Sequence, residues 1–423
     1  MQIFFFLVAF LFVYMPVSSY AQVRTLEPGF HPYISVQEEY NDNINLTSTN
    51  KQDDYITTIT PGLRYTKMDA ASGVNLDYNL GFVLYGKNSD LNYIRHNGSL
   101  EAKYLTKEHF KFYLRDSFIR SEDNREYEIF TTTEENKFVL STQTQRAVYW
   151  RNIVAPTVEY QFGRENRVGL NYWNNIYRTD NPDSENSQEN YINPFLDYWF
   201  DMKNGLHLEY GYDIGNFEKS PDMIGHIAKA RYTYRLRTQL SLFGEYTFTK
   251  REFDPPSIDY DIHNPSMGII YAFSPTLNAS AQIGYFWQEP AVGSGTGGIS
   301  YVASVTNRGD VRTTYVLSLQ GGYTEDYFTS QNLAFNKYHR LTGSITHFLE
   351  KRLSIGLLGS IERAEFTQED RNDWIWGVTG TLSYMPLKWL TLALEISHRE
   401  DNSNIDFNDY TENRGLIRIT ATY

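Results

Sequence analysis

The segment HIAKARYTYRLR, His226 to Arg237, puts Lys229, Arg231, Arg235 and Arg237 at alternate positions, with Thr233 completing the series. In an extended strand successive side chains point to opposite faces, so these four cations share one face and Ala228, Ala230, Tyr232, Tyr234 and Leu236 share the other. A basic strip on the wall of a pore attracts anionic solutes, as rings of charged side chains do in selective channels. The plainer chemistry is bracing, because the flanking strands present Glu209 and Asp213 on one side and Glu245 on the other. Opposite charges on neighbouring strands stabilise a sheet by a few tenths of a kcal/mol each. Tyr85, Tyr113, Trp173, Phe243 and Phe286 fall on the same kind of face. They offer either stacking surfaces for sugar rings or ordinary packing.

Catalytic chemistry finds no support. Ser344 and His347 are three residues apart, so in a strand they point to opposite faces and cannot act as nucleophile and base. The histidines are scattered, and neither a zinc-protease motif nor a glycine-rich phosphate loop is present. No catalytic residue, metal site or cofactor is expected. The acidic segments QEDRND and DNSNIDFND could bind Ca²⁺ through carboxylates but lack the regular twelve-residue loop spacing, so solvated loops bridged by divalent ions are the expectation.

These residues need strands to hold them. In GVNLDYNLGFVLYG, Val74, Leu76, Tyr78, Leu80, Phe82 and Leu84 lie on one face and Asn75, Asp77 and Asn79 on the other, an amphipathic strand. The pattern returns in GLHLEYGYDI, QLSLFGEYTF, TLNASAQIGYFW, RLSIGLLGSI and WLTLALEIS. Short turns such as FGREN, MKNG and LEKR alternate with longer acidic connections such as TDNPDSENSQEN, EPAVGSGTGG and EDNSNIDFND. That rhythm is the signature of an outer-membrane barrel. The fold class is therefore all-β, a transmembrane antiparallel β-barrel of roughly twenty strands with both termini on the short-turn side. Merging a weak pair between Ile299 and Asp310 would give about eighteen. TPGLRY, APTVEY, NPFLDY and NPSMGI each set a proline inside a strand, where its missing N–H predicts a local bulge near the long-loop side. The closing segment RGLIRITATY aligns Gly415, Ile417, Ile419, Ala421 and Tyr423 on one face and is similar to the C-terminal strand that the barrel assembly machinery recognises.

A barrel of this size leaves an aqueous lumen. Its constriction is expected from the long loop between Ser121 and Thr144. The wall itself should divide EEYNDNINL into Glu39, Asn41, Asn43 and Asn45 facing the lumen and Tyr40, Ile44 and Leu46 facing outward. The same alternation leaves Glu38 and Asp42 outward, where a charge at the bilayer midplane costs ~2 kcal/mol or more.

Composition agrees with this reading. The chain holds 34 Tyr and 26 Phe within 423 residues at net charge −13, more aromatic surface than a polar globule can hide. Zero cysteines exclude a disulfide scaffold and thiolate metal sites. The acidic balance argues against binding nucleic acid through phosphates. Residues 1–21 read as a signal peptide, an apolar run from Ile3 to Val13 followed by Ser19-Tyr20-Ala21, and 22–423 as a single barrel domain. The first strand begins too soon after that point to leave room for a plug domain. The expected location is the bacterial outer membrane, and the expected partners are outer-membrane lipid and lipopolysaccharide.

The stretch PYISVQEEYNDNINLTSTNKQDDYITTITPGLRY resembles the family of putative β-barrel porins of type 2, found beside exopolysaccharide and exosortase (PEP-CTERM) loci. The matching residues are Pro32, Glu38, Tyr40, Asp42, Asn43, Ile44, Asp54, Thr60, Pro61 and Gly62. The resemblance implies a barrel without enzymatic activity, serving in some members as the outer-membrane exit for a secreted polysaccharide with periplasmic export proteins as partners. A general solute-diffusion porin and a non-conducting surface-interaction barrel are the alternatives.

Overall fold

The computed structural model describes residues 27–123, 146–308, 312–328, 334–367 and 370–423. The signal-peptide expectation and most of the expected constricting loop lie outside the described residues. Twenty strands follow in order: β1 (Gly29–Asn41), β2 (Asp54–Met68), β3 (Ser72–Tyr85), β4 (Tyr93–Leu105), β5 (Phe110–Ser121), β6 (Tyr149–Gln161), β7 (Arg167–Thr179), β8 (Ser187–Trp199), β9 (Asn204–Phe217), β10 (Met223–Arg237), β11 (Leu240–Phe253), β12 (Tyr260–Ala272), β13 (Leu277–Pro290), β14 (Thr296–Asn307), β15 (Thr313–Asp326), β16 (Ala334–Glu350), β17 (Leu353–Phe366), β18 (Arg371–Leu387), β19 (Leu390–Ser403) and β20 (Tyr410–Thr422). Each pairs antiparallel with its neighbours in sequence, and β1 pairs with β20, so the sheet closes on itself. The weak pair near Ile299 is two separate strands, β14 and β15. Among the described residues no helix is long and apolar enough to cross a membrane; strands make the wall.

Alternation decides which side faces what. Ile34, Val36, Leu76, Tyr78, Leu208, Tyr210, Leu394 and Ile417 are exposed on the outer face, while Glu39, Asp213, Thr249 and Glu395 are buried on the inner one. A row of outward tyrosines is hydrogen-bonded to histidines across the sheet: Tyr78 to His96, Tyr210 to His226, Tyr246 to His263 and Tyr301 to His339, at 2.6–2.9 Å. Such amphipathic rings belong where an apolar band meets polar headgroups.

The four strand prolines correct one expectation. Pro61, Pro156, Pro194 and Pro265 sit in mid-strand and produce no bulge. Ladder partners skip only the proline and its predecessor, then resume in unchanged register, as from Ile59↔Phe82 to Gly62↔Asn79 and from Ile192↔Tyr212 to Phe195↔Glu209. The proline ring points outward, so a single missing N–H is the whole defect. At Pro194 the neighbouring Asn193 amide donates to the carbonyl of Tyr210, 3.3 Å away, and satisfies the acceptor left over. The register shifts fall elsewhere, at Arg235/Arg237, Phe348/Glu350 and Tyr384/Leu387, all at the short-turn end.

Several connections expected to be long acidic loops are short because the strands extend into them. β13 ends at Pro290 and β14 begins at Thr296; β17 ends at Phe366 and β18 begins at Arg371. One hairpin then leaves the wall. β14 and β15 pair only from Tyr301↔Gly321 to Asn307↔Tyr315, although both strands continue toward the long-loop end. At the point of separation Gly322 has φ +146°, a backbone conformation that a side chain would strain. Beyond it the parity that faces outward lower down, Tyr323 and Glu325 on β15 with Phe335 on β16, packs against the inner faces of β10 to β13. The resulting cluster joins Met223, Tyr260, Ile262, Phe286, Tyr327, Ala334 and Phe335. The upper β15–β16 hairpin thus folds into the lumen.

Candidate functional site: the charged inner wall

The basic strip is present but neutralised. Lys229 Nζ lies 3.1 Å from Glu209, directly opposite on β9, and Arg231 Nε lies 2.7 Å from Glu245, directly opposite on β11. Arg235 reaches down to Glu165 in the β6–β7 turn, 2.5 Å away, while its guanidinium lies over the Trp199 ring. Hydrogen bonds from Arg235 hold the Glu165 carboxyl below the ordinary glutamate range. Arg237 does not extend the strip: the register shift after Arg235 leaves it exposed as the last residue of β10, paired with Leu240. The bracing chemistry therefore describes the geometry.

Asp213 is a second correction. It stands opposite Gly225, where no cation of β10 reaches it, and pairs with Arg251 of β11 at 2.9 Å. Arg251 also grips Glu325 of the infolded hairpin with two nitrogens, at 2.9 and 3.1 Å. Tyr260 donates to the same carboxylate. Glycine at 225 leaves room for this arrangement, since a Cβ there would sit 2.0 Å from the Arg251 guanidinium. This buried knot ties the hairpin to the wall and was not anticipated, because its members are 38 and 74 residues apart in sequence. His207 was also missed. It bridges Asp197 and Glu209 at 2.8 and 3.0 Å, extending the strip toward Arg167 and Glu159.

Four of the five inward aromatics are engaged. Arg146 covers Tyr85, Arg231 covers Phe243, Phe286 is buried in the hairpin cluster, and Trp173 donates to Glu189. Tyr113 alone stays open to the lumen at 38% exposure. Around Trp173 the inner wall is a strip of amides, in which Asn175 and Asn171 bridge Arg151, Glu189, Thr157 and Asn193.

The residues of the N-terminal motif make contacts around the β20–β1–β2 seam and the loops above it. The carboxylate of Glu38, outward as expected, accepts from Thr57 Oγ1 at 2.6 Å. That of Asp42, just past the end of β1, accepts the backbone and side-chain N–H groups of Asn413. Tyr40 reaches Asp53, and Asn43 is buried, bonded to Thr47 and Thr411. Asp54 takes the N–H groups of Lys87 and Asn88. Pro61 is the outward proline of β2, and Gly62 gives room to the Tyr33 ring, which would touch any Cβ at 2.2 Å. Ile44 and Leu46 overturn their outward assignment: β1 ends at Asn41, the chain turns inward, and both become buried, Ile44 against Ile56, Val83, Tyr85 and Tyr93.

With this geometry in view, the comparisons with known proteins are informative about fold. The model of the family described as "Putative beta-barrel porin 2" matches residues 218–423, a span that excludes the N-terminal motif. No curated protein matches the chain. Among solved structures, the FrpB iron transporter from Neisseria meningitidis (F5-1 variant) superposes with TM-score 0.58 at 9% identity, covering 94% of this chain and 83% of that one. The siderophore receptor PirA from Pseudomonas aeruginosa gives 0.51 at 9%, covering 94% and 80%. The ferric enterobactin receptor PfeA in complex with BCV-L6 gives 0.53 at 8%, covering 94% and 82%. At such identity the likeness is one of architecture: a closed antiparallel barrel.

Proposed function

We propose that this protein is an outer-membrane channel for hydrophilic solutes, with export of a secreted polysaccharide as its specific role. One observation carries the channel reading: the inner wall of a closed twenty-strand barrel is lined by charged pairs and amides, while the outer wall is apolar. A lumen of this width is not filled by its own strands and holds water. The amide and aromatic strip around Trp173, with Tyr113 open beside the lumen, favours carbohydrate over a small ion as cargo. Sugars present many hydroxyls and apolar ring faces to just such groups. The infolded β15–β16 hairpin supports a second feature, a pore narrowed on its long-loop side.

Planar-bilayer recording of the refolded chain tests this. The expected result is a stable channel whose unit conductance rises in Phe335→Ala, where the hairpin loses an anchoring ring. Absence of conductance in wild type and variant alike would sink the pore reading and leave the surface-interaction barrel. Export is tested separately by deleting the gene and weighing secreted polymer; unchanged secretion would leave a general solute porin. Glycosyltransferase or exosortase genes next door would favour export.

A further inference from the structure

We propose that Asp373 and Asp401 form a site for a hard divalent cation, Ca²⁺, on the inner wall near the long-loop end of β18 and β19. The two acidic segments that read as solvated loops in the sequence are brought together here, and the key carboxylates are not solvated. Asp373 is fully buried and Asp401 only 2% exposed. Asp373 opposes Ser403 and Asp401 opposes Ile375, which makes the two aspartates diagonal neighbours on one face. Gln368 and Glu369 of the first segment lie outside the described residues.

The carboxylate oxygens are not all satisfied among the described residues. Arg371 holds Asp373 Oδ2, with Nε at 2.7 Å, and its guanidinium also lies over the Phe366 ring. Asp373 Oδ1 and both oxygens of Asp401 are buried with no hydrogen-bond partner among the described residues. Among the described residues no Lys, Arg or His nitrogen comes within ion-pair distance of Asp401; Arg399, nearby on the same strand, lies over the Tyr410 ring. Asp409, the next carboxylate along, already accepts the Ser403 N–H. An ionised carboxylate stripped of water and accepting no hydrogen bond costs several kcal/mol, even with the Arg371 and Arg399 guanidiniums in the neighbourhood. A cation bound by oxygens removes that cost.

The donor set decides the class of ion. The unsatisfied oxygens of Asp373 and Asp401 are carboxylate oxygens, which suits Ca²⁺ or Mg²⁺ and not soft metals. Among the described residues no group of three or more His, Cys, Asp or Glu forms a complete cage, so the ion keeps part of its water. Ca²⁺, with its flexible coordination number, tolerates this better than Mg²⁺, and affinity belongs in the weak range of extracellular modules, ~10⁻⁴–10⁻³ M. Occupancy pins the start of β18 to the end of β19 beside the β19–β20 connection.

The test uses full-length protein folded in detergent micelles free of lipopolysaccharide and stripped with chelator. Tb³⁺ is the probe, because Tyr410, directly opposite Asp401 on β20, is placed to sensitise its luminescence. Expected is a saturable Tb³⁺ signal displaced by millimolar Ca²⁺, and a heat-unfolding midpoint on gel mobility that rises with Ca²⁺. Asp401→Asn and Asp373→Asn should fold yet weaken both responses about tenfold or more, the loss of roughly one good ligand. Asp53→Asn, a half-buried acid of the β1–β2 loop already paired with Lys87, should keep them. Equal binding in wild type and both variants would overturn the proposal, as would no saturable displacement in wild type. Should one variant fail to fold, the other decides.

Discussion

Arg251 on β11 and the Lys229–Arg231–Arg235 strip on β10 are neighbouring sets of cations on one inner wall, yet they live in different solvents. Arg251 and Asp213 keep 7% and 5% of their side-chain surface, whereas Lys229 and Glu209 keep 29% and 23%. The cause is the infolded hairpin, which brings Glu325 and the rings of Tyr323, Tyr327 and Phe335 over the upper wall and leaves the lower wall to water. The same chemistry is thus a structural knot above and an adjustable lining below. Function that needs charge in contact with solute belongs to the lower set.

The largest effect that would sharpen this contrast is Arg251→Ala. It leaves Asp213 and Glu325 buried without their cation, and breaking a buried pair by removing one partner costs ~3–5 kcal/mol. Urea unfolding of the folded barrel should show that loss, together with hairpin release seen as protease cleavage near Tyr327. A loss below about 1 kcal/mol would mean that water already reaches the knot.

Lys229→Ala removes the corresponding partner from the lower set, and there the expected loss is only ~0–1 kcal/mol because the pair is partly hydrated. The change should appear instead in ion selectivity, since Glu209 then faces the lumen held by His207 and the Asn193 amide without its lysine, and cation preference should increase in reversal-potential measurements. Equal destabilisation by Lys229→Ala and Arg251→Ala would erase the distinction between the two regions.

How far the sequence leads follows the same divide. Period-2 alternation within single strands made the barrel, its strand number and the β10 strip legible, because each depends on residues close in sequence or on adjacent strands. Arg251 was illegible. In TKREF it reads as one of several rim charges, and its partners come from β9 and β15. Ile44 and Leu46 kept the alternation of β1 on paper after the strand itself had ended at Asn41. Asp373 and Asp401 looked like solvated loop acids because nothing local signals that β18 and β19 extend far enough to bury them. The prolines misled for a different reason: the rule that proline disrupts a ladder is right, but one missing donor is absorbed without shifting register, and at Pro194 an adjacent amide takes up the spare carbonyl.

The smallest effect probes the lowest member of the strip, Arg235 with Glu165 at the short-turn mouth. Hydrogen bonds from Arg235 lower the Glu165 pKa in the folded protein. A carboxyl whose folded pKa lies below its unfolded value contributes stability that is complete above the unfolded pKa, ~4.3, and disappears as pH falls through the folded one. Arg235→Ala should therefore be slightly less stable than wild type at neutral pH, and the two should converge as the pH drops below about 4. Because the pair is open to solvent, the difference at neutral pH should also shrink in high salt. Parallel pH profiles for wild type and Arg235→Ala would show instead that Arg235 acts through its stacking on Trp199, and that the strip stabilises the mouth by packing rather than by charge.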